Sequence, residues 1–178
     1  MISHIALLRG VNVGGNMLKM ERLRAMLAEL GFEGATTYLQ SGNVLFGAKG
    51  APATLAATIE RKVREATRLP VSVIVRTPAQ LKRVIAANPF LKEAGVEPKT
   101  LHVTFLGGAA STAGLAALGK LQAGADRWHA AGAEIYLCCP DGYGRTKLNN
   151  SAIERALGLR ATTRNWSTVT ALHAMSAR

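Results

Sequence analysis

The sequence predicts an α+β protein with two tandem βαββαβ halves, each followed by one extra helix, and with mainly antiparallel sheets. Apolar residues recur with the spacing of strands and helices in that order in both parts of the chain. The segments Val75-Arg76-Thr77-Pro78 and Thr163-Arg164-Asn165-Trp166 each combine a strand end, an arginine, a cap and a helix start. We therefore place the halves at residues 1–88 and 89–178, in the ferredoxin-like order.

In the first half, residues 2–8 form an apolar strand, and helical spacing follows until Gly31, a typical helix stop. Short strands at 36–40 and 43–46 flank a Ser-Gly turn. A helix at 52–68 precedes a β-branched strand at 71–75. Thr77 and Gln80 form a capping box that opens the extra helix. The predicted inner-face residues of the two main helices are Met20, Leu23, Leu27, Leu30, Leu55, Ile59 and Val63.

The second half repeats this plan with altered loops. We predict a strand at 100–106, a short helix near 115–121, strands at 127–130 and 134–139, a helix carrying Ile153 and Leu157, and a strand at 160–163. A terminal helix begins near Trp166. The arginines Arg76 and Arg164 should occupy corresponding positions.

A glycine-rich segment joins the first strand to the first helix, and it is the first candidate site. Backbone amides at such a junction can converge on an anion. The spacing approaches that of a P-loop, but Asn16 and Met17 stand where the lysine and the hydroxyl residue would be. Either the loop binds a ligand, or its glycines serve backbone geometry while Asn16 caps the helix. The ligand hypothesis names Arg9, Asn12, Gly14, Gly15 and Asn16.

Three motifs in order resemble a known family: LLRGVNVGG at 7–15, YLQSGNV at 38–44 and TTRNW at 162–166. The chain is similar, almost from end to end, to the bacterial family called domain of unknown function 1697. The resemblance implies a compact α+β fold with two ferredoxin-like halves. It implies no activity, because the family is uncharacterised.

Other candidate residues lie in the remaining motifs. Ser41 and Asn43 belong to a hairpin turn that is structural by default but could hydrogen-bond a ligand. Arg145 and Lys147 lie in a second glycine-rich entry to a helix, at residues 140–149, where they either pair with phosphate or carboxylate or remain solvated. Arg164 and Asn165 could contribute to a ligand site or serve only as strand end and cap.

We expect the loops that follow the first and third strands of each half to share an edge of the sheet. Residues 9–16 should then neighbour residues 47–53, and residues 107–112 should neighbour residues 140–149. This expectation would bring glycine-rich loops together in pairs.

The chain is strongly basic, with 22 Lys and Arg against 11 Asp and Glu and a net charge of +11. Such a surface attracts polyanions. The excess is spread over both halves, and the basic run at 61–68 is interpreted as a solvated helix face. Three function classes stay open: binding of a small phosphate-bearing anion, nucleic-acid binding, and protein interaction or self-assembly. Aromatic residues make up only 5% of the chain, which is unfavourable for an RNA-binding sheet.

No catalytic constellation is recognisable, so enzymatic activity stays open. The four histidines lack metal-ligand spacing, and we predict neither a metal nor a cofactor. Cys138 and Cys139 are adjacent, which predicts reduced strand residues, although Cys139 could be a nucleophile. The absence of a signal-peptide pattern and of a long apolar run predicts a cytoplasmic protein without membrane association.

Overall fold

The computed structural model describes residues 1–12, 15, 17–121 and 124–177. The chain divides into two compact units, one formed by Met1–Lys82 with the residues from Leu172 onward, and one formed by Arg83–Ala171. Both boundaries fall inside the extra helices. Each unit contains one four-stranded sheet.

The elements of the first half are β1 (His4–Arg9), α1 (Met20–Glu29), β2 (Glu33–Tyr38), β3 (Asn43–Gly47), α2 (Pro52–Thr67), β4 (Ser72–Arg76) and the extra helix α3 (Pro78–Ala86). The first sheet has the strand order β2-β3-β1-β4, and every pair is antiparallel. Helices α1 and α2 pack on one face of this sheet, where Ala6, Leu8, Val44 and Phe46 belong to the buried core. The helix residues in this core include Leu23, Leu27, Leu55, Ile59 and Val63, as their spacing predicts.

The elements of the second half are β5 (Leu101–Leu106), α4 (Thr112–Gly119), β6 (Arg127–Ala131), β7 (Glu134–Cys138), α5 (Asn150–Leu157), β8 (Ala161–Asn165) and the extra helix α6 (Trp166–Ser176). The second sheet repeats the arrangement with the order β6-β7-β5-β8, again antiparallel throughout. Its core joins Leu106, Ile135 and Leu137 of the sheet to Leu118 and Ile153 of the helices. The predicted fold class, two antiparallel βαββαβ halves with extra helices, is confirmed.

The strand register places Arg76 and Arg164 at corresponding positions. Arg76 pairs with Ile5, and Arg164 pairs with Val103, one residue after a histidine in each case. Both guanidinium groups donate to the carbonyl of the preceding residue, at 3.2 and 2.9 Å. The two halves therefore share this detail as well as the order of their elements.

The residue after each arginine caps the extra helix. Thr77 and Gln80 exchange the two hydrogen bonds of a capping box, at 2.8 and 3.2 Å. Asn165 Oδ1 accepts from the Thr168 amide at 2.9 Å.

The predicted pairing of loops at the sheet edges is wrong. Because β1 and β3 are antiparallel, Leu7 pairs with Asn43 and His4 with Phe46, so the end of β1 lies beside the start of β3. Residues 9–12 and residues 47–53 therefore leave opposite edges of the sheet. The loop after β1 instead meets the turn between β2 and β3 and the start of β4, where Arg9 pairs with Ser72.

The second half corrects the prediction in the same way. The Leu106 amide donates to Ala133 O in the turn between β6 and β7. The Cys139 amide donates to Thr100 O at the start of β5. Residues 107–112 and 140–149 are therefore also at opposite edges of their sheet.

Candidate functional site

The segment between β1 and α1 is fastened by the side chain of Asn12. Its Nδ2 donates to Leu18 O at 3.1 Å and to Gln40 O at 2.6 Å, and its Oδ1 accepts from the Leu18 amide at 2.8 Å. Asn12 has φ 56°, a left-handed conformation that asparagine tolerates better than most residues. The bond to Gln40 ties this segment to the neighbouring hairpin turn, and the two bonds to Leu18 join its beginning to its end.

The hairpin turn and the loop also pack closely at Gly42. The Leu8 amide donates to Gly42 O at 2.8 Å. A Cβ at this glycine would lie 2.6 Å from Val11 Cγ2 and 2.8 Å from Leu8 Cβ. Gly42 also has φ 73°, so both backbone conformation and space require glycine here.

Ser41 and Asn43 make bonds inside the same hairpin. The buried Asn43 donates from Nδ2 to Tyr38 O at 3.0 Å and to Ser41 Oγ at 2.9 Å. These bonds close the turn between β2 and β3. Two of the motifs singled out in the sequence thus form one structural unit at the end of β1.

An open cavity of about 630 Å³ lies between this loop and the C-terminal end of α2, and we call it the junction cavity. Its size is in the range of small-molecule sites. One wall comes from the loop and the first turn of α1, and the other from the end of α2 and the residues after it. The described lining residues are Gly15, Met17, Leu18, Lys19, Arg22, Glu65, Ala66, Thr67, Arg68 and Leu69.

The junction cavity is positively charged. Lys19, Arg22 and Arg68 line it, and Glu65 is the one acidic residue among its described lining residues. Arg22 Nη2 donates to Ala66 O at 2.7 Å, which orients that guanidinium. Within the described part of the chain, Lys19 and Arg68 make no side-chain hydrogen bond or ion pair.

Two backbone features of the cavity wall are unusual. Helix α1 begins after Lys19, which occupies the N-cap position and provides no side-chain acceptor for the first amides of the helix. Helix α2 ends at Arg68, which has φ 64° and ψ 6° in the left-handed region that favours glycine.

The predicted site residues of this loop do not all line the junction cavity. Gly15 lines the cavity, while Gly14 and Asn16 lie outside the described residues. Arg9 ends β1 and is half-buried on the face that also carries Ile5 and Leu7, and it is not one of the residues lining the cavity.

The second glycine-rich loop has a different electrostatic character. Arg145 and Lys147 line a smaller cavity of about 190 Å³ together with Asp126 and Asp141. Two carboxylates thus balance the two cations. Asn149 Oδ1 accepts from the Ala152 amide at 3.0 Å and caps α5, so this helix end is already occupied.

Arg164 and Asn165 are part of the framework of the second sheet. The Arg164 side chain is buried, and its guanidinium donates to Thr162 Oγ1 and Thr163 O, both at 2.9 Å. Burial lowers the pKa of Arg164 to about 10, although nearby Tyr143 opposes this shift. The group therefore remains charged at neutral pH.

Cys139, the candidate nucleophile of the sequence, is buried. Burial raises the pKa of Cys139 to about 11, so this thiol is protonated at neutral pH. No cluster of three or more His, Cys, Asp or Glu residues in the described ranges could hold a metal ion. No helix formed by those residues has the length and apolar character required to cross a bilayer.

Comparison with known proteins agrees with the fold. The profile of the family described as Protein of unknown function (DUF1697) matches residues 1–136. The chain belongs to this family. No curated protein matches it. It is similar to the conserved bacterial protein SP0830 from Streptococcus pneumoniae, with a TM-score of 0.74 and 20% identity over 100% of both chains, which shows a shared fold.

Sequence reasoning about this DUF1697 member missed Lys19, Arg22 and Arg68. Arg68 is the last residue of the basic run at 61–68, for which the sequence predicts a solvated helix face. The sequence does contain one signal at the end of α2. Glycine is typical just after a helix, but the chain has Arg68 there, before Leu69-Pro70 and the next strand. The correct edge assignment would have placed that segment beside the glycine-rich loop.

Proposed function

We propose that this protein binds a small phosphate-bearing anion in the junction cavity. The observation that carries the proposal is the convergence of Lys19, Arg22 and Arg68 on one cavity whose described lining residues include one carboxylate. Cations at a protein surface normally mix with carboxylates, as Lys62 does with Glu29 and Arg127 with Glu93. An excess of two positive charges in one cavity favours a ligand with two negative charges, such as a phosphate monoester.

The backbone adds to this preference. The first amides of α1 follow Lys19 without a side-chain cap, and a helix N-terminus carries a partial positive charge. Charge-assisted hydrogen bonds from arginine to phosphate oxygens are among the strongest in proteins. Gly15 provides a wall without a side chain, which permits close approach of a ligand.

Titration with inorganic phosphate, pyrophosphate and nucleoside monophosphates, followed by thermal unfolding, tests this proposal. A ligand present at about 100 times its Kd should stabilise the fold by about 2.7 kcal/mol, a rise in Tm of about 5–10 °C. Lys19→Ala should weaken binding about tenfold, because one charged contact is lost.

Lys49→Ala is the matched control, since Lys49 is also exposed but lines a different cavity. It removes the same charge from the protein and should leave binding unchanged. The proposal fails if none of these anions raises the Tm of the wild type. It also fails if the two lysine variants bind equally well.

Nucleic-acid binding is the second candidate, supported by the net charge of +11. The exposed large apolar side chains among the described residues are Met1, Met17, Leu39 and Leu91, and none is an aromatic that could stack on a base. A salt titration with duplex DNA separates the two functions. Specific polyanion binding gives a log-log slope of about −0.9 per phosphate neutralised and survives physiological salt.

A cytoplasmic location stays a prediction.

A further inference from the structure

We infer that Arg68 fixes the phosphate of the ligand in the junction cavity, and that the chain keeps an arginine there at the expense of fold stability. This inference rests on the proposed function and identifies the residue that determines its specificity. It starts from the backbone of Arg68 rather than from its charge alone.

Arg68 and Gly158 occupy corresponding positions in the two halves. Each ends the helix that precedes the last strand of its sheet, α2 before β4 and α5 before β8. Arg68 has φ 64° and its amide donates to Arg64 O at 2.9 Å, while Gly158 has φ 66° and its amide donates to Glu154 O at 2.8 Å. The two helix ends thus have the same conformation and the same closing hydrogen bond, but different residues.

An L-residue is disfavoured in this conformation, because its Cβ crowds the backbone, whereas glycine adopts it freely. The Arg68 side chain is exposed, and within the described residues it makes no hydrogen bond or ion pair that would offset this strain. A purely structural C-cap would favour glycine, as in the second half.

Attraction between a cation and the negative end of α2 does not explain the residue. That interaction is available to any basic side chain in the last turn, and Arg64 already provides it from a helical backbone. What position 68 adds is an arginine in the lining of the junction cavity, together with Lys19 and Arg22. The planar fork of arginine matches two phosphate oxygens, which lysine cannot do.

Arg68→Gly tests this inference by a gain in stability and a loss of binding in one variant. Its Tm should rise by about 2–4 °C, because the strain of the left-handed arginine is relieved. Its affinity for pyrophosphate should fall at least tenfold. Arg68→Lys keeps the charge and the strain, so it should melt like the wild type but bind less tightly.

Gly158→Arg is the matched control in the other half. Nothing lies within 4 Å of a Cβ built at Gly158, so the substitution adds backbone strain without a clash. It should lower the Tm by about 2–4 °C and leave pyrophosphate binding unchanged.

The outcomes separate this inference from the proposed function. If pyrophosphate binds the wild type and Lys19→Ala weakens it, but Arg68→Gly binds as the wild type does, only the inference about Arg68 is overturned. A Tm for Arg68→Gly below that of the wild type also overturns it, since the arginine would then stabilise the fold. Failure of every anion to bind the wild type overturns the proposed function, and the inference with it.

Discussion

The first and second halves differ most at the junction between their first strand and first helix. In the first half the connection spans residues 10–19, and in the second half only residues 107–111. Helix α1 starts after Lys19 without a side-chain cap, whereas α4 starts after Ser111, whose Oγ accepts from the Gly114 amide at 3.1 Å. The same topological position is therefore open and cationic in one half and closed in the other.

The difference extends to the neighbouring segments. The backbone carbonyl that accepts from the end of the first strand belongs to Gly42 in the first half and to Ala133 in the second. The longer loop places Val11 over Gly42, which excludes a side chain there. The C-cap residue with a left-handed backbone conformation is Arg68 in the first half and Gly158 in the second.

This comparison indicates where the first half departs from locally favourable residues. A lysine at an N-cap and an arginine at a left-handed C-cap each oppose the local preference, and both line one cavity. Natural chains break such rules mainly at functional sites. Because the second half has the same fold and obeys both rules, the fold itself does not require the departures.

The largest effect that tests the comparison is expected from Gly42→Ala. The new Cβ would overlap Val11 and Leu8 in a left-handed turn, so we expect a loss of about 2–4 kcal/mol in the free energy of unfolding. Urea unfolding measures it. Gly31→Ala is the control, because Gly31 has φ 76° with open space around its Cβ position and should lose only about 1 kcal/mol. Equal losses would show that Val11 does not make the first junction different.

Removing the cap of α4 and adding a cap to α1 should each change the free energy of unfolding by a smaller amount. Ser111→Ala should lower the free energy of unfolding by about 1 kcal/mol, because the Gly114 amide loses its acceptor. Lys19→Ser should raise it by about 0.5 kcal/mol, since serine supplies the acceptor that α1 lacks. Thermal melts without added anions measure both. A destabilised Lys19→Ser variant would contradict the view that the α1 N-terminus is left open.

The smallest expected effect is on the pH dependence of stability, and it concerns a buried histidine that both halves share. His4 and His102 are buried at corresponding positions, and burial lowers the pKa of both below 6.5, against a weaker opposing backbone hydrogen bond in each. Between the folded and unfolded pKa values the unfolded chain binds more protons. Their contribution to stability is therefore complete above about pH 6.5 and is lost as the pH falls through the folded pKa.

Glutamine variants at the two histidines check this dependence. His4→Gln and His102→Gln should each flatten the fall in Tm between pH 7 and pH 5, and the double variant should flatten it most. His102 stacks on Tyr143 with ring centroids 4.9 Å apart, so a constant loss of stability at all pH values is also expected there. An unchanged pH profile in the double variant would contradict the assignment.

The amino-acid sequence by itself determined the order of elements, the duplication and the caps of the two extra helices, whereas the alternative in which Asn16 caps α1 is wrong because Lys19 occupies that N-cap. These depend on local periodicity and on side chains such as Thr77, Gln80 and Asn165, which act on amides a few residues away. The buried faces of α1 and α2 could be predicted for the same reason. The glycine-rich loop was also placed correctly as the connection between β1 and α1.

Only the tertiary structure decided which segments meet. The direction of β3 relative to β1 depends on long-range pairing that local periodicity does not encode, so the partner of the glycine-rich loop was misassigned. The antiparallel pairing of β4 with β1 places Ser72 opposite Arg9, and it brings the end of α2, and with it Arg68, beside Lys19 and Arg22. The charge of these residues is known from the sequence, but they line one cavity only because the antiparallel strand pairing brings their segments together.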